Sequence, residues 1–538
     1  MTAIRPPISP PMSRALDLAR SVLGRTSPNP AVGAVVVRDG RVVGEGATQP
    51  PGGAHAEVAA LRQSGGAASG AALYVTLEPC ATHGRTPPCT DAIIDAGIAT
   101  VVIASGDPDA KVDGRGIEAL RAAGIDVQIG DGAVEALRHY EAYRHHRRSG
   151  RPFVIAKFAV SLDGKIASTS GDSRWISGPA TRAWAHRLRP TMDAILVGVD
   201  TIVLDDPQLT ARPDGVTAGV SQPLRIVLDS RGRTPPAAKV LQEQEIASTL
   251  IVTTAAAPVA WRRAIESCGV RLCELADDEG RVALLPLLEK LGADEGIVSL
   301  LVEGGGRVHG AFVDQHLVNK VHAIVAPMII GGDAATAVAG EGAQTMADAV
   351  RLRDLAVENL GNDILVTGYP IAARPLDNVT VRPGGAADLE ELAQVIADPA
   401  QRAERLPDIQ AAFDRAKSGD GAVWIAATED RIVGGVTLRF ERTSGRDPED
   451  ERLSADIDQL YVAEPWRDHG LAGRLVESAE ASAAGRGARW LTATIDATSH
   501  ASLAGSAWSR DDWSRHGYRY YRQDAEGRAV VTKLLGGS

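Results

Sequence analysis

His55-Ala56-Glu57, followed by Thr76-Leu77-Glu78-Pro79-Cys80-Ala81-Thr82-His83-Gly84-Arg85-Thr86-Pro87-Pro88-Cys89, decides the fold of the first third of this chain. One imidazole and two thiolates make three soft ligands, and three leave a fourth position for water. A zinc ion held this way lowers the pKa of that water towards neutrality, so hydroxide can attack an amidine-like carbon. Glu57 stands two residues after the histidine, at a predicted helix start. It can carry a proton from water to a ring nitrogen and then to departing ammonia. A lone His-Ala-Glu is ordinarily a surface pair, and isolated cysteines ordinarily pack as small apolar side chains. The three pieces together, with Pro79-Cys80 behind a strand, point instead to metal ligands His55, Cys80 and Cys89 with Glu57 as the catalytic acid/base. Cys268 and Cys273 lack such partners and read as core residues.

Around this stretch the chain alternates short apolar runs with Ala-rich helical patterns, which predicts layered α/β domains. Strands are expected at Ala31–Val37, Leu73–Leu77 and Thr100–Ala104, with helices at His55–Leu61 and Cys89–Ala96. The same alternation continues through strands at Phe153–Val160, Ala194–Val197, Leu224–Leu228, Thr249–Val252, Ile297–Val302 and Val321–Ala326. Two breaks divide the chain. Arg144-His145-His146-Arg147-Arg148-Ser149-Gly150-Arg151-Pro152 interrupts a helical pattern, and Ala372-Ala373-Arg374-Pro375-Leu376-Asp377-Asn378 precedes a new strand near Val379. A length of 538 residues agrees with roughly three domains.

The formal charge of −11 argues against nucleic acid or an anionic membrane as the main partner. Four cysteines exclude a disulfide scaffold and fit a reducing, cytoplasmic compartment. No apolar run reaches the ~18 residues of a membrane span, and the prolines of Met1–Met12 do not form a secretory signal.

The His-x-Glu…Pro-Cys pattern is that of the zinc deaminases, in which the glutamate is not a ligand. Nucleobase deaminases usually have Pro-Cys-x-x-Cys; here the eight residues Ala81–Pro88 separate the thiolates. That insert, with Ser27-Pro28-Asn29-Pro30-Ala31-Val32-Gly33, Gly106-Asp107-Pro108 and Gly114-Arg115-Gly116, closely resembles the deaminase half of the bifunctional riboflavin-biosynthesis deaminase/reductases. The resemblance implies a diaminopyrimidine substrate carrying a ribosylamino phosphate, with Asn29 facing the pyrimidine and Gly84-Arg85-Thr86 helping to form the pocket. The family usually has His two residues after the first cysteine, where this chain has Thr82 and then His83.

No Gly-x-Gly-x-x-Gly fingerprint opens the second block. Instead Glu303-Gly304-Gly305-Gly306 follows the apolar strand 297–302, and its glycines let backbone N–H groups approach a phosphate closely. Lys157–Lys165 ends a strand with polar groups at its carboxyl end, where open α/β sheets bind ligands. Ser173-Arg174-Trp175 offers a hydroxyl beside a flat ring, and Arg189 and Arg212 suit a phosphate. In this order the series resembles the reductase half of the same family, a domain similar to dihydrofolate reductase, over about Phe153–Tyr369. The resemblance implies that NADPH delivers hydride to C1′ of the ribosyl group. It implies substrate contacts from Ser173, Arg189, Leu209, Arg212 and Glu303. It places Ala159, Trp175, Thr201, Asp205, Ser230 and Gly305 on the NADPH side, and Lys165 near charge at the reacting carbon.

Beyond Tyr369 the chain holds enough residues for another domain and five of its eight tryptophans, Trp424, Trp466, Trp490, Trp508 and Trp513. Asp458–Val462 is a predicted strand that feeds Arg467-Asp468-His469-Gly470-Leu471-Ala472, an Arg-x-x-Gly-x-Ala loop opening a helix. N–H groups at such a helix start make a diphosphate site. The segment resembles the acetyl-CoA loop of GCN5-related N-acetyltransferases, which implies contacts from Val462, Arg467, Gly470 and Ala472. Asp456, Asp458, His469 and Tyr518 are open candidates for acid or base, and the acceptor amine is not readable.

The expected fold is therefore α/β in three domains: a cytidine-deaminase-like α/β/α layer at 1–146, a dihydrofolate-reductase-like domain at 150–371 and a GNAT-like mixed α/β domain at 378–538. The expected partners are a small phosphorylated pyrimidine and further copies of the chain, as the family suggests. Two alternatives stand beside this: diversion of the same chemistry to an acetylated pyrimidine or flavin-like metabolite, and a third domain that binds CoA or assembles without catalysing. A polynucleotide deaminase is opposed by the charge of −11.

Overall fold

The computed structural model describes residues 8–535 except 83–86, 110–111, 113, 278, 344–345, 347–348, 372–378, 396–398, 429–430, 444–451, 464–465, 467–470, 496–518 and 524–528. The described strands form three sheets.

The first contains β1 Gly33–Arg38, β2 Arg41–Ala47, β3 Ala72–Val75, β4 Thr100–Ile103 and β5 Asp126–Ile129 in the order β2-β1-β3-β4-β5. β1 runs antiparallel to β2 and β3, while β3, β4 and β5 are parallel. Asp39-Gly40, both with positive φ, is the two-residue turn that matches the twist of the β1–β2 hairpin. The helix Ala56–Ser64 lies directly on β2. A Cβ on Gly44 would sit 2.3 Å from the Ala60 carbonyl oxygen, and one on Gly46 2.2 Å from that of Ala56. These glycines let the helix carrying Glu57 approach the sheet. Gly46→Val is expected to destabilise this domain by about 1–3 kcal/mol through overpacking, read as a lower first transition in differential scanning calorimetry.

The second sheet contains β6 Phe153–Ser161, β7 Ala194–Gly198, β8 Leu224–Leu228, β9 Thr249–Thr253, β10 Arg271–Glu274, β11 Ser299–Val302, β12 Lys320–Ala326, β13 Arg351–Leu360 and β14 Asp363–Ile371. Its order is β10-β9-β8-β7-β11-β6-β12-β14-β13, parallel from β10 to β12 and closed by an antiparallel hairpin. Alternate residues of single strands enter two separate cores. Val154, Leu196, Ile226 and Leu300 face one, and Ile155, Ile195, Val227 and Leu301 the other. Both faces of the parallel part are therefore covered, which explains its near-continuous Val/Ile/Leu runs.

The third sheet contains β15 Thr380–Pro383, β16 Gly421–Ala427, β17 Ile432–Thr443, β18 Arg452–Val462, β19 Trp490–Ile495, β20 Arg519–Gln523 and β21 Ala529–Leu534 in the order β15-β16-β17-β18-β19-β21-β20. Among the described residues no helix is long and apolar enough to cross a membrane.

One expectation is met only in part: Gly150 and Pro152 do end a helix before β6, but the basic residues do not. The basic run from Arg144 does not interrupt a helix; it lies in one, Glu141–Ser149, which ends at Gly150 with φ +72. Its cations are neutralised from afar. Arg144 and Arg148 both bind the Glu391 carboxylate, and Arg148 also lies 3.7 Å from Asp388. Glu141, at the start of the same helix, accepts from Lys320 Nζ at 2.7 Å and from the Tyr369 hydroxyl at 2.7 Å. What reads as a charged break is thus a strut touching both later domains. The second break, 372–378, lies outside the described residues.

Candidate active sites

His55 caps the helix Ala56–Ser64, Cys80 lies in the loop after β3, and Cys89 is the first residue of the helix Cys89–Asp95. The loop ends are tied, with Thr90 N–H donating to the Cys80 carbonyl at 3.2 Å and Cys89 N–H lying 3.4 Å from Cys80 Sγ. His55 Nδ1 is 3.2 Å from Cys89 Sγ and 3.6 Å from Cys80 Sγ, and all three ligand atoms lie within 4.8 Å of one another. A tetrahedral zinc with ordinary bond lengths requires nitrogen and sulfur about 3.6 Å apart, so the donor set fits. The electrostatics agree. The hydrogen bond from Cys89, helped by His55 and opposed by burial, pulls the Cys80 thiol down to about 4, while that same bond and burial push Cys89 up. One sulfur is readily a thiolate; a cation between the two is what lets both be.

Glu57 is buried, and burial followed by the nearby Cys80 charge pushes its carboxyl up to about 7. A carboxyl so placed can exchange a proton near neutral pH. Asn29 is half-buried, in a turn where Thr26 Oγ1 donates to the Asn29 carbonyl at 3.0 Å. His83 and Gly84-Arg85-Thr86 lie outside the described residues.

Sequence reasoning missed Glu78. Its buried carboxylate accepts N–H bonds from Asp107 (3.4 Å), Gly114 (3.1 Å), Gly116 (2.9 Å) and Ile117 (3.2 Å), and so holds the loop after β4 against Pro79-Cys80. No local pattern could show this, because all four partners are backbone groups of a distant loop.

In the second sheet the chain leaves β6, builds β7 to β10 outward, then returns to insert β11 between β6 and β7. The carboxyl ends of β6, β7, β8 and β11 carry Ala159, Thr201 and Asp205, Ser230, and Gly305 respectively. Ala159, Ser230 and Gly305 therefore lie at or just past strand ends, where such sheets bind ligands. Thr201 and Asp205 lie in the helix Val199–Asp205 that follows β7, and Trp175 lies in the segment between β6 and the helix Pro179–Leu188. A Cβ on Gly305 would meet nothing within 4 Å, whereas one on Gly306 would sit 2.3 Å from the Thr336 carbonyl oxygen. Gly305 also precedes the helix Gly306–Asp314. This open, glycine-bounded helix start fits a phosphate-bearing cofactor. Ser230 Oγ accepts from Val282 N–H at 3.2 Å, and the exposed Trp175 ring is covered by the Arg182 guanidinium at 4.6 Å.

Glu303 follows β11, its side chain 9% exposed, and accepts from Arg189 at 2.6 Å. Lys157 Nζ is 3.9 Å from its other oxygen. Burial alone would raise the Glu303 carboxyl, but the charges of Arg189 and Lys157 outweigh it and hold the group at about 2. Arg189 also donates to the Thr210 carbonyl at 3.0 Å, next to buried Leu209. Arg212 bonds Gln208, and burial and then Arg189 lower it. Burial and then the two arginines push His186 down to about 4, leaving it neutral. Two cations thus flank the Glu303 carboxylate and Arg212 stands near Arg189, a surplus of positive charge suited to a phosphate. Ser173 Oγ donates to Asp205 at 3.1 Å, joining one residue of each expected group. Lys165 Nζ donates to the Ala334 carbonyl at 3.2 Å; the lysine beside Glu303 is Lys157.

In the third sheet β18 pairs with parallel β19 only over Ser454–Ile457, although β18 runs on to Val462. The β17–β18 register slips so that Asp458 bulges, and Arg415 binds its carboxylate. The strands part after Ile457, so Val462 lies on the end of β18 that β19 leaves unpaired, and buried Ala472 lies in the helix Leu471–Gly485. Arg467, His469, Gly470 and Tyr518 lie outside the described residues. A separate cavity of about 310 Å³, lined by Phe158, His309, Leu352, Arg431 and Trp466 among others, opens between the second and third units and holds none of the expected site residues.

The chain is 41% identical over 370 residues to the riboflavin biosynthesis protein RibD of Bacillus amyloliquefaciens, covering 98% of that protein and 68% of this one. It belongs to the RibD family of riboflavin-biosynthesis deaminase/reductases. The Escherichia coli RibD is 38% identical over 362 residues, covering 96% of its length and 66% of this chain. The solved structure of Acinetobacter baumannii RibD superposes with a TM-score of 0.61 at 37% identity, covering 98% of that chain and 67% of this one. A Thermotoga maritima structure, described as a diaminohydroxyphosphoribosylaminopyrimidine deaminase/5-amino-6-(5-phosphoribosylamino)uracil reductase, gives 0.58 at 35% identity, covering 98% and 67% respectively. Family models for the cytidine and deoxycytidylate deaminase zinc-binding region match residues 9–105, for the RibD C-terminal domain 152–366, and for the acetyltransferase (GNAT) family 388–504. This RibD-family enzyme is a zinc deaminase and an NADPH reductase of riboflavin biosynthesis, with an acetyl-CoA-type domain that its RibD relatives do not span.

Proposed function

We propose that the chain performs two consecutive steps on one molecule. The first is hydrolytic deamination of 2,5-diamino-6-ribosylamino-4(3H)-pyrimidinone 5′-phosphate, and the second is reduction of its ribosyl group to ribityl. The observation that carries this reading is the His55–Cys80–Cys89 triangle beside buried Glu57. Bound there, zinc supplies a Lewis acid that makes water nucleophilic near neutral pH. The Glu57 carboxylate takes one proton from the attacking water and passes it to the pyrimidine ring nitrogen. It then takes the remaining proton from the new C–OH group and gives it to the amine, which leaves as ammonia while the carbonyl forms. Asn29 orients the pyrimidine.

In the second domain a bound NADPH would supply the hydride that reduces C1′ of the ribosyl group. Arg189 and Arg212 hold the phosphate, with Ser173, Leu209 and Glu303 lining the substrate. Glu303 also keeps Arg189 and Lys157 in place, and Lys165 stabilises charge near the reacting carbon. Ala159, Trp175, Thr201, Asp205, Ser230 and Gly305 seat the cofactor, and Lys165 fixes the loop after β6 through Ala334. The domains run over 1–146, 150–371 and 378–538. The chain works in the cytoplasm as a homo-oligomer, without nucleic acid or membrane.

A coupled assay on the diaminopyrimidine ribosyl phosphate tests the pair. Ammonia release should precede NADPH oxidation. A chelator should stop the first while leaving NADPH oxidation intact when the deaminated compound is supplied. Ammonia release from metal-free protein would sink the reading.

The third domain binds acetyl-CoA through Val462, Arg467, Gly470 and Ala472. Isothermal titration should give saturable acetyl-CoA binding that Gly470→Trp removes. Free thiol released in the presence of a pathway intermediate would mark transfer; binding alone would mark a CoA-sensing module.

A further inference from the structure

The deaminase site ends at a surface that the third domain covers. Glu78, two residues before Cys80, gathers the N–H groups of Asp107, Gly114, Gly116 and Ile117 on its carboxylate, and its own N–H donates to the Ser105 carbonyl at 2.9 Å. A Cβ on Gly116 would lie 2.0 Å from the Pro79 carbonyl oxygen, so the loop and the ligand-bearing segment are in direct backbone contact. On its far side the same loop meets the third domain. A Cβ on Gly106 would lie 3.1 Å from Ala387 Cα, and one on Gly114 3.2 Å from Ala386 Cβ. The 3-10 turn Ala386–Asp388 is held there by the strut helix. Arg148 reaches Asp388 and Glu391, and Arg144 binds Glu391 with both side chains nearly inaccessible. Tyr143 and Arg147 of that helix also contact the loop, at Asp107 (3.3 Å) and Asp109 (3.7 Å).

We propose that the third domain is a positioning element for the deaminase: its 386–391 segment, clamped by Arg144 and Arg148, holds residues 105–109 and 114–117 against Glu78 and thereby fixes Cys80. An ion pair buried at both ends fits this role, since it specifies one docked geometry at a cost that looser surface pairs avoid. Glu391, Asp388, Ala386 and Ala387 touch no reacting group and act through the loop. The device needs no acetyl transfer, so it stands whether or not the third domain is a catalyst.

Two variants of the full-length holoenzyme test it. Glu391→Gln keeps an acceptor for Ile432 N–H, which now binds at 2.7 Å, and removes the charge from the clamp. Arg148→Met leaves the third domain's own side chains untouched. Each should lower deaminase kcat/KM by roughly two- to thirty-fold, the span expected for coupling through a packed network. Each should also speed zinc loss to a chelator and raise hydrogen exchange of amides 105–109 and 114–117. NADPH oxidation with the deaminated substrate should hold its rate, which separates loss of the clamp from general unfolding. The proposal fails if exchange at these amides rises while deamination and zinc retention stay at wild-type levels. It fails equally if neither variant changes exchange, zinc loss or deamination.

Discussion

Glu57→Gln is expected to abolish ammonia release, by about 10²–10⁴-fold in kcat, while zinc content and the reductase rate stay at wild-type values. Glutamine has the same volume and keeps an acceptor, so the helix Ala56–Ser64 should keep its place on β2. What it loses is the ability to hold a proton between one bond breaking and the next forming. Burial and then the nearby Cys80 charge raise the Glu57 carboxyl above the usual carboxylate range, towards neutrality. That is the condition under which a single group serves as base and then as acid within one turnover. Ammonia assayed against metal content decides the matter. A zinc-replete Glu57→Gln protein that still turns over within ten-fold of wild type would remove Glu57 from the chemistry.

Arg189→Met is the reductase counterpart, and its effect should fall on KM as well as kcat. The guanidinium has two jobs, as a phosphate ligand and as the direct partner of Glu303 at 2.6 Å. Truncating one member of a buried, hydrogen-bonded charge pair costs about 2–5 kcal/mol, or roughly thirty- to several-thousand-fold in kcat/KM. A second signature lies in pH. In the intact protein the charges of Arg189 and Lys157 outweigh burial and hold the Glu303 carboxyl at about 2, well below the usual carboxylate range, so its ionised form is the one the fold favours. Its stabilisation is complete above the unfolded value and is lost as pH falls from there towards 2. With Arg189 gone only Lys157 remains near the carboxylate, its pKa rises, and the window of acid loss narrows and moves upward. Melting curves recorded between about pH 6 and pH 3 should show wild type holding stability further into acid than the variant. Identical pH profiles would mean that Arg189 does not govern Glu303.

How much of this was legible in the sequence differs by element for physical reasons. The zinc set could be read because its ligands flank two turns of chain and each has a rare residue type in a local pattern. The glycine run after β11 could be read because three glycines in a row serve little else. Lys157 could not, because a single lysine in an apolar strand announces nothing until β11 brings Glu303 beside it. β2 was missed although Asp39-Gly40 is a strong hairpin signal, because Arg41-Val42-Val43-Gly44-Glu45 lacks a clean alternation. The β13–β14 hairpin was missed for the same reason; β13 is mostly exposed and reads as polar chain. The basic helix Glu141–Ser149 misled because its neutralising partners, Asp388 and Glu391, lie in another domain. The helix Pro399–Ser418 and strands β19 and β21 were likewise unread in a block whose motif is concentrated in one loop.

The order of strands in the second sheet has a consequence for how the chain comes off the ribosome. β6 is made first but pairs only with β11 and β12, whose residues follow it by more than half the length of that domain. β7 to β10 can zip together as they emerge, while β6 and the inner edge of β7 wait with unsatisfied backbone and exposed Val, Ile and Phe. Pairing across such sequence separation is slow, and an unpaired apolar strand is a template for association. The interval between synthesis of residues 161 and 302 is thus when this enzyme most needs a chaperone. Substitutions that weaken β11 should reduce its soluble yield before they touch its kinetics.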